Sequence, residues 1–229
     1  MPNQSGKTMI IVVVVVAAII GGYLFLTAGQ GGASLKQNAT IKAAEVVGKA
    51  AKASIASATD GLEGSHGSSV DLINRKIEAR WIADNVVMAV GVGNVTMITT
   101  DEGNVVFDTG VVIQAAEQRK ILLEEVGTDV PATHVIISHS HGDHAGGIKV
   151  WLNDDVEVIA HTEFQEELRY LKELETYQHK RNLKFFPWMP DEVADLGPLD
   201  WGDATPTITV DETEDYYTFE LGGTQFQVI

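Results

Sequence analysis

Val135-Ile136-Ile137-Ser138-His139-Ser140-His141-Gly142-Asp143-His144-Ala145-Gly146-Gly147 is the stretch that decides how this chain is read. Its β-branched opening is a short buried strand, and the imidazoles begin at that strand's carboxyl end, where open α/β sheets place their ligands. In an extended loop, residues two apart project to the same side. His139 and His141 can therefore face one ion, while Asp143 and His144 fall on the next turn and can face another. Gly142 permits the tight backbone path, and Gly146 with Gly147 lets the following helix start close to the site with no Cβ in the way. Three histidines and an aspartate so close together would be costly to desolvate without a cation. The bland alternative is a polar loop that happens to be rich in histidine. Four metal-competent side chains at this spacing, directly after a strand, argue against it.

Upstream, Val86 to Val90 and Val95 to Thr100 are β-branched runs separated by Gly91 and Gly93. Asp101-Glu102-Gly103-Asn104 turns the chain into Val105-Val106-Phe107, so these read as successive antiparallel strands. Past Asp108-Thr109-Gly110, the apolar positions Val112, Ala115, Ala116, Ile121, Leu122 and Val126 recur at helical spacing up to a stop at Gly127. Downstream, Gly147 to Leu152 reads as a short helix, Val156 to Ala160 as a strand, and about Glu163 to Leu183 as one helix with Phe164, Leu168, Leu171 and Leu174 on its apolar face. Strand signals return at Tyr216 to Glu220 and Gln225 to Ile229. The order is a meander followed by βαβ, a mixed α/β sandwich.

The 229 residues are 45% hydrophobic and 21% charged, which excludes wholesale disorder. A formal charge of -16 repels phosphate backbones and so disfavours nucleic acid as a partner. Cysteine is absent, which removes disulfides, thiolate nucleophiles and Cys-based zinc sites, so a metal must sit on His, Asp or Glu. Up to residue 60, Lys7, Lys36, Lys42, Lys49 and Lys52 outnumber Glu45 and Asp60, so the acidity belongs to the rest of the chain.

Met9 to Leu26 carries no charge and, at about 1.5 Å per residue, is long enough as a helix to span roughly the hydrocarbon core. Residues 1–28 read as an uncleaved signal anchor, with a cleavable signal peptide as the rival, since Lys7 precedes the run and small residues come after it. Both imply export, and the globular part is expected outside the cytoplasm, membrane-anchored or secreted. Residues 29–70, rich in Gly, Ala and Ser and without an aromatic residue, read as a flexible linker with an Ala-rich helix near Ile41 to Ser57. The domain is then expected over residues 71–229.

His139-Ser140-His141-Gly142-Asp143-His144 with Gly146-Gly147 resembles the His-x-His-x-Asp-His signature of the metallo-β-lactamase superfamily of hydrolases, and Val106-Phe107-Asp108-Thr109-Gly110 resembles its upstream aspartate motif. The resemblance runs from about Trp81 to Ile229. It implies an αββα sandwich in which His139 and His141 bind one metal ion, Asp143 and His144 bind a second, and Asp108 supports them from behind. Two zinc ions are implied, with iron or manganese as other occupants. A metal-bound hydroxide, oriented by Asp143, would attack an ester, a sulfate ester or a related electrophile of a small-molecule substrate. A β-lactamase, lactonase or thioesterase activity lies within the same chemistry. Val158-Ile159-Ala160-His161, followed by the helix with Phe164, Tyr177, Arg181 and Asn182, is similar to the alkyl sulfatase-like branch. His161 and His134 read as structural histidines, and His179 beside Lys180 and Arg181 as part of a solvated helix face.

A catalytic zinc keeps three protein ligands and an open position, yet His139 and His141 make two. In the family the remaining ligands, a histidine, an aspartate and a final histidine, come from the second half, the first of them just after a strand like Thr224 to Ile229. No histidine occurs after His179. The sequence therefore reads as the amino-terminal part of such a sandwich, incomplete at the carboxyl end. The alternative of another class is a truncated, non-catalytic, membrane-tethered domain.

Overall fold

The computed structural model describes residues 33–59, 76–128, 130–185, 191, 205–211 and 216–229. Among them runs the order α1 (Ala33–Thr59), β1 (Glu78–Ala83), β2 (Val86–Val90), β3 (Val95–Thr99), β4 (Asn104–Phe107), α2 (Val112–Val126) and β5 (Ala132–Ile136). After a 3-10 turn at Ile148–Val150 come β6 (Glu157–His161), α3 (Phe164–Glu173), α4 (Glu175–Asn182), β7 (Ile208–Val210), β8 (Tyr217–Leu221) and β9 (Thr224–Val228).

β1 to β7 form one sheet in sequence order. β1 to β4 pair antiparallel, as tight turns permit, and β4 to β7 pair parallel, each step needing a crossover. Alternation decides the faces. Val87 and Ala89 of β2, Val95 and Met97 of β3 and Val106 of β4 are wholly buried on the face that α2, Trp151, Phe164 and Leu168 cover. Val105, Ile136 and Ile159 point to the opposite face, against which the β8–β9 hairpin sets Tyr217, Phe219, Leu221, Phe226 and Val228. The result is a mixed α/β sheet with a helical layer on one face and a hairpin on the other.

The linker expected over residues 29–70 is, over Ala33–Thr59, a helix of 27 residues built into the fold. Ile41 and Ala44 pack against the core and Ala39 is buried. A Cβ on Gly48 would stand 2.6 Å from the Ile113 carbonyl oxygen, so the glycine lets α1 lie close on α2. Lys52 pairs with Glu117. Small residues that suit a spacer by composition form a close-packing surface instead. The helix expected from Glu163 to Leu183 is broken at Leu174, and α4 turns His179 inward. His179 is 4% exposed, with Nε2 3.3 Å from the Asp191 carbonyl oxygen, which corrects its reading as solvated. β1 and β7 carry no clear signal in the sequence: β1 is an exposed edge strand with no apolar alternation, and β7 has three residues. No helix among the described residues is long and apolar enough to cross a membrane. Met9 to Leu26, the expected span, lies outside the described residues.

Candidate metal centre

The site lies at the carboxyl ends of β4 and β5, where the meander gives way to parallel pairing. β4 stops at Phe107, and Asp108 turns the chain away with φ 56, a left-handed conformation that aspartate tolerates better than most residues. Its backbone N–H still donates to the Ile136 carbonyl, 2.8 Å away, so the turn stays fixed to β5. The Asp108 side chain is buried, 5% exposed, and points towards the loop after β5. Oδ1 accepts the Ser138 backbone N–H at 2.8 Å. Oδ2 accepts the Ser138 hydroxyl at 2.8 Å and the His144 Nδ1–H at 2.7 Å. A buried carboxylate without such donors would be costly, so the arrangement places Asp108 and fixes the loop together.

The histidine loop is held from three sides. His144 N–H and Ala145 N–H both donate to the His141 carbonyl at 2.9 Å, closing a tight turn through Gly142. Thr109, fully buried, donates its N–H and its hydroxyl to the His144 carbonyl at 2.7 and 2.8 Å. On the third side, the β2–β3 turn rests on the loop so closely that a Cβ on Gly93 (φ 67) would stand 1.6 Å from the Asp143 carbonyl oxygen. That turn is in turn clamped by α2. Gln118 Nε2 donates to the Gly93 carbonyl at 2.9 Å, and the Val92 N–H donates to Gln114 Oε1 at 2.7 Å.

These restraints bring together His139, His141, His144 and Asp143. The His139 ring centroid is 4.7 Å from that of His141 and 4.1 Å from that of His144. Asp143 Oδ2 is 3.5 Å from His144 Nε2. The rings meet face and edge, and among the described residues no three such side chains are arranged as a formed ion-holding set. Desolvation of its ring lowers the pKa of His139 below the ordinary imidazole value, His144 and His141 push it the same way, and Asp108 and Asp143 oppose. The balance favours a neutral ring, the form that donates a lone pair to a metal.

The donor chemistry fits a divalent cation. Three imidazoles and a carboxylate are gathered at one sheet end, and the Nδ1 of His144 is committed to Asp108, which leaves its Nε2 as the donor. His161 ends β6 at the same end of the sheet, and its Nδ1 accepts the Glu163 N–H at 3.2 Å. His134 is stacked on Phe219 with centroids 4.4 Å apart, and its Nε2 is 3.6 Å from Glu157. Sequence reasoning missed Thr109 and Ser138. Nothing in the sequence separates Ser138 from Ser140, since what marks it is the carboxylate that folding sets beside it.

The match to the metallo-beta-lactamase superfamily model runs over residues 88–228, from β2 to the last residue of β9. The chain belongs to the metallo-beta-lactamase superfamily. Members of this superfamily are typically metal-dependent hydrolases, and zinc is their usual metal. Among curated proteins none matches the chain. Among solved structures it is similar to the stereoselective inverting sec-alkylsulfatase Pisa1 from Pseudomonas sp., at 18% identity and a TM-score of 0.52 over 91% of this chain and 31% of that one. A double mutant of the same sec-alkyl sulfatase matches at 20% identity and a TM-score of 0.50, over 75% of this chain and 31% of that one. At such identities the likeness is one of fold. This superfamily chain spans about a third of the length of these sulfatase structures.

Proposed function

We propose that this chain supplies the metal-binding part of a metal-dependent hydrolase acting on an ester, a sulfate ester or a related electrophile of a small-molecule substrate. The observation that carries the reading is the Asp108 carboxylate behind the histidine loop, which fixes His144 by Nδ1 and the loop by Ser138.

In this reading His139 and His141 hold one ion, and Asp143 with His144 hold a second, zinc in each case, with iron or manganese able to replace it. Bound divalent ions supply Lewis acidity, which makes water a nucleophile near neutral pH and offsets charge on the leaving oxygen. The chain's own residues do the positioning. Asp143, half-exposed beside His144, would hold an ion and orient the nucleophile there. Asp108 and Thr109 keep His144 from swinging away, the first by its side chain and the second by its bonds to the His144 backbone carbonyl. The charge-free run Met9 to Leu26 supports a membrane-anchored or secreted protein with this site outside the cytoplasm.

The test is calorimetric titration of the chelator-stripped chain with zinc. Wild type is expected to bind, and His139→Ala to bind at least an order of magnitude more weakly. Equal stoichiometry and affinity in the two would remove the assignment. A second reading, a non-catalytic metal-binding domain, is favoured by one observation: among the described residues no three metal-competent side chains form an ion-holding set, where a catalytic zinc has three protein ligands. Zinc binding without chelator-sensitive turnover of a chromogenic ester or sulfate would select it.

A further inference from the structure

We propose that Ser138 is a positioning residue that holds the His139 imidazole with its proton on Nδ1 and its Nε2 lone pair free for metal, and that through Asp108 it couples His139 to His144. The geometry stands alone, and its use in metal binding rests on the hydrolase reading above.

A count of protons fixes the tautomer. A serine hydroxyl has one proton to give, and a carboxylate oxygen only accepts. The 2.8 Å contact from Ser138 Oγ to Asp108 Oδ2 therefore takes the serine proton. Ser138 Oγ also lies 3.0 Å from His139 Nδ1. With its proton already committed, the hydroxyl can bond there only as an acceptor, so the ring nitrogen must be the donor. The same Oδ2 accepts from His144 Nδ1 at 2.7 Å. Both rings thus carry a proton at Nδ1, and in the neutral form each keeps its lone pair at Nε2.

The serine itself has little freedom to choose otherwise. Its backbone N–H and its hydroxyl are held by the two oxygens of one buried carboxylate. A serine hydroxyl is a freely turning group in most settings, and here two bonds set its direction. His139 and His144 are the two histidines assigned to different ions, and one carboxylate with one hydroxyl joins them. Displacing either ring pulls on the support of the other.

The experiment uses the full chain carrying nitrogen-15 histidine. Metal-free spectra report which ring nitrogen of each histidine is protonated, with His139 assigned by comparison with His139→Gln. Wild-type His139 is expected to be protonated at Nδ1. In Ser138→Ala a large part of that signal should move to the Nε2-protonated form that an unconstrained histidine side chain prefers, and Ser138→Thr, which keeps the hydroxyl, should restore the wild-type pattern. Zinc affinity should fall about ten- to hundred-fold in Ser138→Ala and stay near wild type in Ser138→Thr, the range expected when a group behind a ligand is lost. Wild-type His139 protonated at Nε2 overturns the proposal, and so does Ser138→Ala with unchanged tautomer and zinc affinity. Should Ser138→Ala fail to fold, the wild-type and Ser138→Thr spectra decide the matter. The expected tautomers with no zinc bound by any variant would uphold the hydrogen-bond relay and refute the metal reading.

Discussion

Asp108 combines two roles that substitution can separate. Its carboxylate receives three donors, and its backbone adopts a left-handed turn that alanine adopts at a cost of about 1–2 kcal/mol. Asp108→Asn tolerates the turn but cannot accept all three bonds, so zinc affinity should fall about ten- to hundred-fold with a modest loss of stability. Asp108→Ala should lose the affinity and, with the three hydrogen bonds to the buried carboxylate gone, a further part of the stability, about 1–3 kcal/mol. Zinc titration and urea unfolding of both variants measure the two losses separately. His134 supplies a second residue-scale outcome. Desolvation, the larger cause, lowers its pKa below the ordinary 6.5 despite the opposing pull of Glu157. The unfolded chain then binds the extra proton first, so this stability is complete above about pH 6.5 and is lost as pH falls towards the folded value. His134→Gln should show a smaller drop in urea midpoint between about pH 7.5 and about pH 5.5 than wild type, and an equal drop would contradict the sign. At this scale the sequence disclosed the histidine cluster, because histidine spacing after a strand is itself a chemical pattern. It concealed Ser138 and Thr109, whose importance comes from what folding sets beside them.

The elements are legible where burial imposes a period and illegible where it does not. β2, β3 and β4 announce themselves by β-branched runs buried on one or both faces, and α2 by its spacing up to Gly127. β1 escapes because an exposed edge strand has no buried face to write an alternation into the sequence. α1 resembles a tether in composition because alanine and glycine bury little area, yet they allow α1 to approach α2 closely at Gly48. The β2–β3 turn is the element most directly tied to the site. Gly93→Ala must both force φ 67 on a Cβ and push that Cβ into the Asp143 carbonyl, so zinc affinity and stability should fall together, the latter by about 1–3 kcal/mol or more. Gly127→Ala is the control. It has φ 85 and nothing within 4 Å of the added carbon, so it should carry the backbone cost while leaving zinc affinity unchanged.

For the molecule as a whole, the family was legible from two short motifs, Val106 to Gly110 and His139 to Gly147, since both sit at strand ends that the fold brings together. The location proposed for the protein is a separate matter and rests on the charge-free sequence Met9 to Leu26. The full chain should sediment with membranes and remain there through alkaline carbonate extraction, and recovery of intact chain in the soluble fraction would count against the anchor. A mature chain starting near Gly29 or Gly32 would instead point to cleavage.

The change from antiparallel to parallel pairing between β4 and β5 also sets a timetable. Hairpins such as those of β1 to β4 close locally in roughly 1–10 μs, whereas a parallel partner waits for its crossover helix to be made and docked. During synthesis, at roughly 5–20 residues per second, the meander that presents Asp108 has time to zip up seconds before the histidine loop leaves the ribosome. The strand that leads into Asp108 is thus made before the histidine loop, and its carboxylate gains its partners, Ser138 and His144, only once β5 has docked.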